Sequence, residues 1–344
     1  MIKPVDFSES RHNNNFDLLR LAGALLVLFS HSYGEMVQRP EEFIYRWTGH
    51  RYALSTFGLL IFFSISGYLV TGSLLHSTSV KQYIWKRFLR IYPGYIVITL
   101  LSVFVLGPVF TSLSLSHYFS EGLTWKFLYQ NICLLNSPRK LPGVFEGKSV
   151  NLSVWTLPFE LELYGLLLLL YLLKFFRYRW LQAVLFLIAT CIKFFIPLHL
   201  LQQWFHFDFG TWYSLGYVFL AGSTLYTWRD KITLHYVGVI VLLVVWLITE
   251  LFHCTNNATD TIFFVYTIIW IGLKTYIPLK WKPDISYGIY IYGSPVQRVI
   301  SSLTQSSLPL WNYNLVVVPL TVVMGFLSWF LVEKKAMKFK NKVQ

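Results

Sequence analysis

Arg20 and His31 are the residues of this chain whose type and placement most invite chemistry, because both lie inside one apolar run. The run extends from Phe16 to about Val37 without proline, and a bilayer crossing takes roughly 20 residues. An ionisable group at that depth costs on the order of a few kcal/mol, so it faces a protein-lined or wet interior. Eleven residues at 100° each make three turns plus about 20°, which puts both side chains on one helix face roughly 16 Å apart. One face therefore offers a cation near one end and a titratable imidazole near the other. Asp17 stands three residues before Arg20 and Glu35 four after His31, and each pair can close along the helix surface. A carboxylate beside a histidine fixes its tautomer and suits a general base; the plainer alternative is an interfacial glutamate and a satisfied polar histidine.

Two further groups carry the same logic. Lys86-Arg87-Phe-Leu-Arg90-Ile-Tyr-Pro93 places Arg87 and Arg90 on one face at the mouth of a span. Guanidinium forks match phosphate oxygens, so this pair with Arg20 suits a phosphorylated cosubstrate, although plain charge anchoring at the membrane surface explains it too. Ser153-Val-Trp155-Thr156-Leu-Pro158-Phe-Glu160-Leu-Glu162-Leu-Tyr164 opens another span, with Thr156 as the expected N-cap. Glu160 and Tyr164 share a face and Glu162 points elsewhere; Glu160 is expected at the depth of His31. Ser64, Ser66, Gly67 and Gly72 read as a close-packing surface. The Ser294-Pro295 pair is expected to break or kink its helix, with Arg298 lining an outer cavity. His199, His206 and His253 have no partner spacing. Cys133, Cys191 and Cys254 form no CxxC or metal spacing and read as inert, with a Cys133–Cys254 disulfide as the alternative. Two sequons, at Asn151 and Asn257, are too short to carry weight.

The elements that must position these residues are membrane helices. The chain of 344 residues is 55% hydrophobic and only 13% charged, where a soluble domain of that length carries nearer a quarter. Its net charge of +13 gathers in short segments between apolar runs, with no basic face of the kind that binds nucleic acid. Ten apolar windows predict spans near 16–37, 53–75, 88–110, 156–174, 180–198, 210–228, 235–253, 260–278, 285–303 and 313–332. The Lys and Arg bias of the connections favours both termini inside, with residues 1–15 and 334–344 as cytoplasmic tails. Within the one long connection, 111–155, the piece from Leu123 to Leu135 is expected along the interface or re-entering the membrane. The expectation is an all-α polytopic helix bundle forming one membrane domain over 1–344, with a retained first helix and no fused soluble domain.

Several blocks together resemble the acyltransferase-3 family of integral membrane O-acyltransferases. Phe16-Asp-Leu-Leu-Arg20 with His31 is similar to its arginine–histidine motif. Phe62-Phe-Ser-Ile-Ser-Gly67, Arg87-Phe-Leu-Arg90-Ile-Tyr-Pro93, Ser153-Val-Trp155-Thr-Leu-Pro-Phe-Glu160 and Ser286-Tyr-Gly-Ile-Tyr-Ile-Tyr follow in that family's order. One departure is Gly293, where many members carry histidine. The resemblance implies transfer of an acyl group, commonly acetyl from acetyl-CoA, to a hydroxyl of a cell-surface carbohydrate at the outer side of a bacterial cytoplasmic membrane. It implies essential His31 and Arg20. In the mechanism expected to follow, Arg20, Arg87 and Arg90 hold the CoA phosphates. Glu35 or Glu160 would assist His31, and Trp155, Tyr164 and Arg298 would contact the acceptor. No metal is implied. Transfer is direct or passes to a separate extracytoplasmic partner. The competing class is a secondary transporter or flippase for a lipid-linked sugar or acyl group, which also buries charges on facing helices but usually shows inverted halves.

Overall fold

The computed structural model describes residues 14–35, 40–134, 140–196, 208–252, 257–275, 277 and 283–341. Their regular structure is helical, with one isolated antiparallel bridge between Thr111 and Val144 and no strand among the described residues. In chain order the helices are α1 (Phe16–Glu35), the short α2 (Phe43–Trp47), α3 (Leu54–Leu75) and α4 (Val80–Leu101). A π-turn at Ser102–Leu106 carries α4 on to Phe110. The long connection holds α5 (Leu115–Ser120) and α6 (Gly122–Ile132). Then come α7 (Leu157–Leu172), α8 (Arg179–Phe195), α9 (Phe209–Thr227), α10 (Tyr236–Leu251), α11 (Asn257–Lys274), α12 (Ser286–Leu303) and α13 (Leu310–Ser328). A second π-turn, Trp329–Glu333, leads from α13 into Lys334–Met337.

Each apolar window of the sequence holds a helix. Among the described residues five, Phe16–Glu35, Leu54–Leu75, Val80–Phe110, Ser153–Leu172 and Leu310–Lys340, are long and apolar enough to cross a membrane. The third begins earlier than its apolarity suggests, because the Ser79 side chain caps it, accepting from Gln82 N at 3.1 Å. Arg87 and Arg90 consequently sit well inside α4 rather than at its mouth. The expected N-cap Thr156 instead ends a 3-10 turn, Ser153–Thr156, and its hydroxyl meets Tyr290 Oη at 2.5 Å.

The described chain forms two compact units interleaved in sequence. One comprises Met1–Arg20, Leu59–His76 and Phe159–Trp281; the other comprises Leu21–Gly58, Ser77–Pro158 and Lys282–Gln344. In the first unit the small residues of α3 admit α9 closely. A Cβ on Gly67 would lie 2.0 Å from the Phe219 carbonyl oxygen, and one on Gly222 would lie 2.3 Å from that of Ser64. Buried polar side chains add glue: Thr71 Oγ1 and Gln182 Nε2 both donate to Ser223 Oγ, at 2.8 and 3.0 Å. This is the packing surface read from Ser64, Gly67 and Gly72. Gly67→Ala cannot be absorbed by a rotamer change, since backbone stands in the way, and overpacking of this kind costs about 1–3 kcal/mol. The expected result is a lower unfolding temperature for the detergent-purified protein; an unchanged one would contradict the close approach.

In the second unit α12 is the central element. Most of it is buried, including Ser286, Tyr290, Ser294, Gln297, Arg298 and Ser301. That polarity is tolerable only where protein rather than lipid surrounds the helix. The long connection packs on itself and on the end of α4. Tyr118, Phe127, Leu141, Val144, Phe145 and Val150 form a small core with Val103. Its anchor follows from Pro108: in the π-turn, Gly107 N reaches Ser102 O, and the next donor in that register would be the absent N–H of proline. The Val103 carbonyl left over accepts from Tyr118 Oη at 3.0 Å. Burial pushes that phenol up to about 12, so it stays a donor.

Candidate active site

His31 lies in the last two turns of α1, where α1 meets α12 within the second unit. Leu28 and Ser32 face Gln297, whose Nε2 donates to Leu28 O at 2.7 Å and to Ser32 Oγ at 2.9 Å. Ser32 Oγ also donates to Asn314 Oδ1 at 2.8 Å, and Tyr313 Oη to Gln297 O at 2.8 Å. On the adjoining face stand His31 and Glu35. The sequence pairs these two, but the structure pairs Glu35 with Arg298: the guanidinium NH1 donates to Glu35 Oε2 at 2.9 Å, with side chains 9% and 3% exposed. A full charge on α12 outcompetes a neutral imidazole on the same helix for a buried carboxylate. His31 does not share that carboxylate. Its Nδ1 is buried with no hydrogen-bond partner, as is Gln297 Oε1. Buried polar atoms in native folds are almost always paired, so an orphaned imidazole nitrogen beside a neutralised ion pair marks a place where a reactant's proton can go.

A strap of chain holds this corner together. Arg298 Nε donates to Ser149 O at 2.8 Å, and Leu152 N donates to Ser294 Oγ at 2.8 Å. Asn151 Nδ2 donates to Ile291 O at 2.8 Å. That last bond answers the expected break at Pro295, since proline removes the amide that would pair with the carbonyl four residues earlier, at Ile291. Asn151 supplies the missing donor, and α12 runs unbroken through Pro295. The sequon asparagine is thus a buried structural residue, 7% exposed. Asn151→Ala leaves the Ile291 carbonyl buried and unpaired, which costs about 1–3 kcal/mol. A fall in unfolding temperature is expected, and a wild-type value would remove the strap from the account.

The other residues singled out in the sequence fall as follows. Trp155 is half-buried in the 3-10 turn that ends the strap. Glu160 and Tyr164 belong to the first unit, and Tyr164 Oη donates to Glu160 Oε1. Ser66, read as packing, also donates to that oxygen at 3.3 Å. Glu160 is therefore a half-buried, doubly bonded carboxylate, whereas Glu162 is exposed. Arg20 makes a loose contact of 3.5 Å to Asp17 in the same unit. In the second unit Arg90 NH2 holds Asp284 Oδ2 at 2.7 Å and lies 5.8 Å from the centre of the Tyr287 ring. Arg87, one turn before it, is half-buried. Gly293, the departure from the family pattern, abuts Leu28: a Cβ there would lie 2.8 Å from Leu28 Cδ1. Cys133 and Cys191 are free and exposed. Cys254, His199, His206 and His253 lie outside the described residues.

Among the buried acids that sequence reasoning misses, with Asp260 and Glu333, one lies close to His31 in sequence. Glu42, in the connection after α1, accepts from Ser30 Oγ at 2.5 Å and from the backbone N of Leu54, capping the start of α3. It ties the residue before His31 to the neighbouring helix. It stands twelve positions from each partner in the sequence, a separation that no helical periodicity announces.

The profile of an acyltransferase domain, that of the acyltransferase-3 family, matches residues 13–333. An O-acetyl transferase of Shigella phage Sf6 is 28% identical over 342 residues, 94% of this chain and 96% of the relative. Nodulation protein 10 of Rhizobium leguminosarum bv. viciae is 28% identical over 372 residues, 99% of this chain and 97% of the relative. No solved structure matches. Taken with the arginine–histidine helix and the ordered blocks along the chain, the match identifies this protein as a membrane O-acyltransferase of the acyltransferase-3 family.

Proposed function

We propose that the chain moves an acetyl group from acetyl-CoA to a hydroxyl of a cell-surface polysaccharide or lipid-linked glycan, at the outer side of a bacterial cytoplasmic membrane. The observation that carries this reading is the orphaned Nδ1 of His31, set beside the Glu35–Arg298 pair. A neutral imidazole there takes the proton of the acceptor hydroxyl as its oxygen adds to the thioester carbonyl. The adduct collapses, the C–S bond breaks, and the thiolate leaves; the imidazolium returns its proton to the sulfur, so the products are an ester and the free thiol. An acetyl-imidazole formed first is the two-step variant. Glu35 does not orient His31 in this scheme, because Arg298 holds it.

Arg87 and Arg90 are assigned to the donor phosphates, with Asp284 as the counter-charge that Arg90 carries until a phosphate shares it. Arg20 is assigned to the donor on its charge and its place in α1. Glu160, fixed by Tyr164 and Ser66, and the half-buried Trp155 are assigned to the acceptor, since a planar carboxylate and an indole face suit sugar hydroxyls and a pyranose ring. The name of the phage relative, an O-acetyl transferase, supports acetyl over longer acyl groups. The test compares surface glycan by mass spectrometry and proton NMR from cells with and without the protein. An acetyl ester found only with the protein supports the reading and names the acceptor; identical glycan in both would overturn it.

A further inference from the structure

Beyond α13 the described residues stay against the protein. The turns Lys334–Met337 and Lys338–Asn341 pack along α4. Two contacts fix the register. Trp85 Nε1 donates to Phe339 O at 3.0 Å, and a Cβ on Gly94 would lie 3.6 Å from Glu333 Oε1. As α4 advances from 85 to 94, the partner therefore recedes from 339 to 333, an antiparallel match that lays the basic turns of the C-terminal segment beside Arg87 and Arg90. The π-turn at Trp329–Glu333 contributes to this. One extra residue in a helical turn rotates everything after it by about 100°, and it directs the buried Glu333 back to Ser328, whose Oγ donates to Glu333 Oε1 at 2.7 Å. The lysines that follow are exposed. Lys334, Lys335 and Lys338 are spaced one and four apart, which confines them to about 100° of arc. An aromatic row runs along the same stretch of α4: Trp85 stacks on Phe88 at 5.5 Å and 10°, and Phe88 is exposed.

We propose that Lys334, Lys335 and Lys338, docked beside Arg87 through the Trp85–Phe339 bond, form with Trp85 and Phe88 a site for the phosphorylated nucleotide end of the acyl donor. The site rests on the reading that the donor is an acyl-CoA, and extends it. The chemistry fits in two parts. Ammonium groups on flexible stems at an exposed surface take several phosphates as point charges, and an exposed ring beside them offers a face to a purine. The division of labour then runs along the donor, with the C-terminal lysines at the nucleotide end and the arginines nearer the pantetheine arm. The same cations also suit the phosphates of anionic lipid, and the experiment separates these sources.

The experiment measures binding of CoA, and of pantetheine, which lacks all the phosphates, to the full chain in nanodiscs of zwitterionic or of anionic lipid. The probes are compared on the wild type, on a triple variant (Lys334→Gln, Lys335→Gln, Lys338→Gln) and on the corresponding triple Lys→Arg variant. Wild type in zwitterionic discs is expected to bind CoA at least about tenfold tighter than pantetheine. The Gln variant is expected to lose the part of that preference that Arg87 and Arg90 do not carry, at least about threefold, and the Arg variant to keep it, with the preference falling as salt rises. Equal CoA binding by wild type and the Gln variant would overturn the site while leaving the donor assignment intact. A difference between variants seen only in discs of anionic lipid would overturn it in favour of lipid anchoring. Absence of CoA binding by the wild type would remove the donor reading and this site together.

Discussion

Replacing His31 with alanine is expected to abolish acyl transfer and to leave a folded, inserted protein. The size of the effect follows from the role: loss of a positioned general base costs about 10²–10⁴-fold in rate. The retention of fold follows from the geometry. Nδ1 has no hydrogen-bond partner to lose, and the Glu35–Arg298 pair does not depend on the ring. Unfolding temperature should therefore stay near wild type while turnover at saturating donor disappears. Activity within a few fold of wild type would remove histidine from the chemistry, and a collapsed protein would mean that the ring is structural.

Arg298→Ala has the largest expected effect on stability. It strands Glu35, 3% exposed in its side chain, as an uncompensated buried carboxylate, and it frees the strap at Ser149. Breaking a buried pair from one side costs about 3–5 kcal/mol, a large share of the stability of a typical protein. Neutralising both partners is gentler. Glu35→Gln with Arg298→Gln is expected to recover most of what Arg298→Gln alone loses, because no lone charge remains. Arg298→Lys should be intermediate, since an ammonium keeps the charge but cannot fork to the Glu35 carboxylate and the Ser149 carbonyl together. Unfolding of the four purified variants reads this directly; a double variant no better than the single one would mean that the two side chains are not coupled.

The parts of this account that were legible in the sequence are those whose signal is local. The apolar windows yielded helices because length and hydrophobicity act within one segment, and Arg20 with His31 stood out because a bilayer-length run makes any charge conspicuous. Pairings between distant segments were not legible. The spacing of His31 and Glu35 is a valid helix contact, yet Arg298, 263 residues away from Glu35, takes the carboxylate. Pro295 announced a broken hydrogen bond, but nothing in the sequence told that Asn151 would repair it. Ser66 looked like its neighbours Ser64 and Gly67, and only the position of Glu160 distinguishes it. The C-terminal lysines read as a charged tail because a one-residue π insertion, which decides where they face, has no reliable signature in residue type.

The central claim is that acyl groups end in covalent linkage to carbohydrate through His31. Purified protein in liposomes carrying the extracted surface glycan, given radiolabelled acetyl-CoA on the inner side, tests it most directly. The account predicts alkali-labile label on the glycan with the wild type and none with His31→Ala. Label that crosses the membrane without becoming attached, or that attaches equally with both proteins, would contradict it.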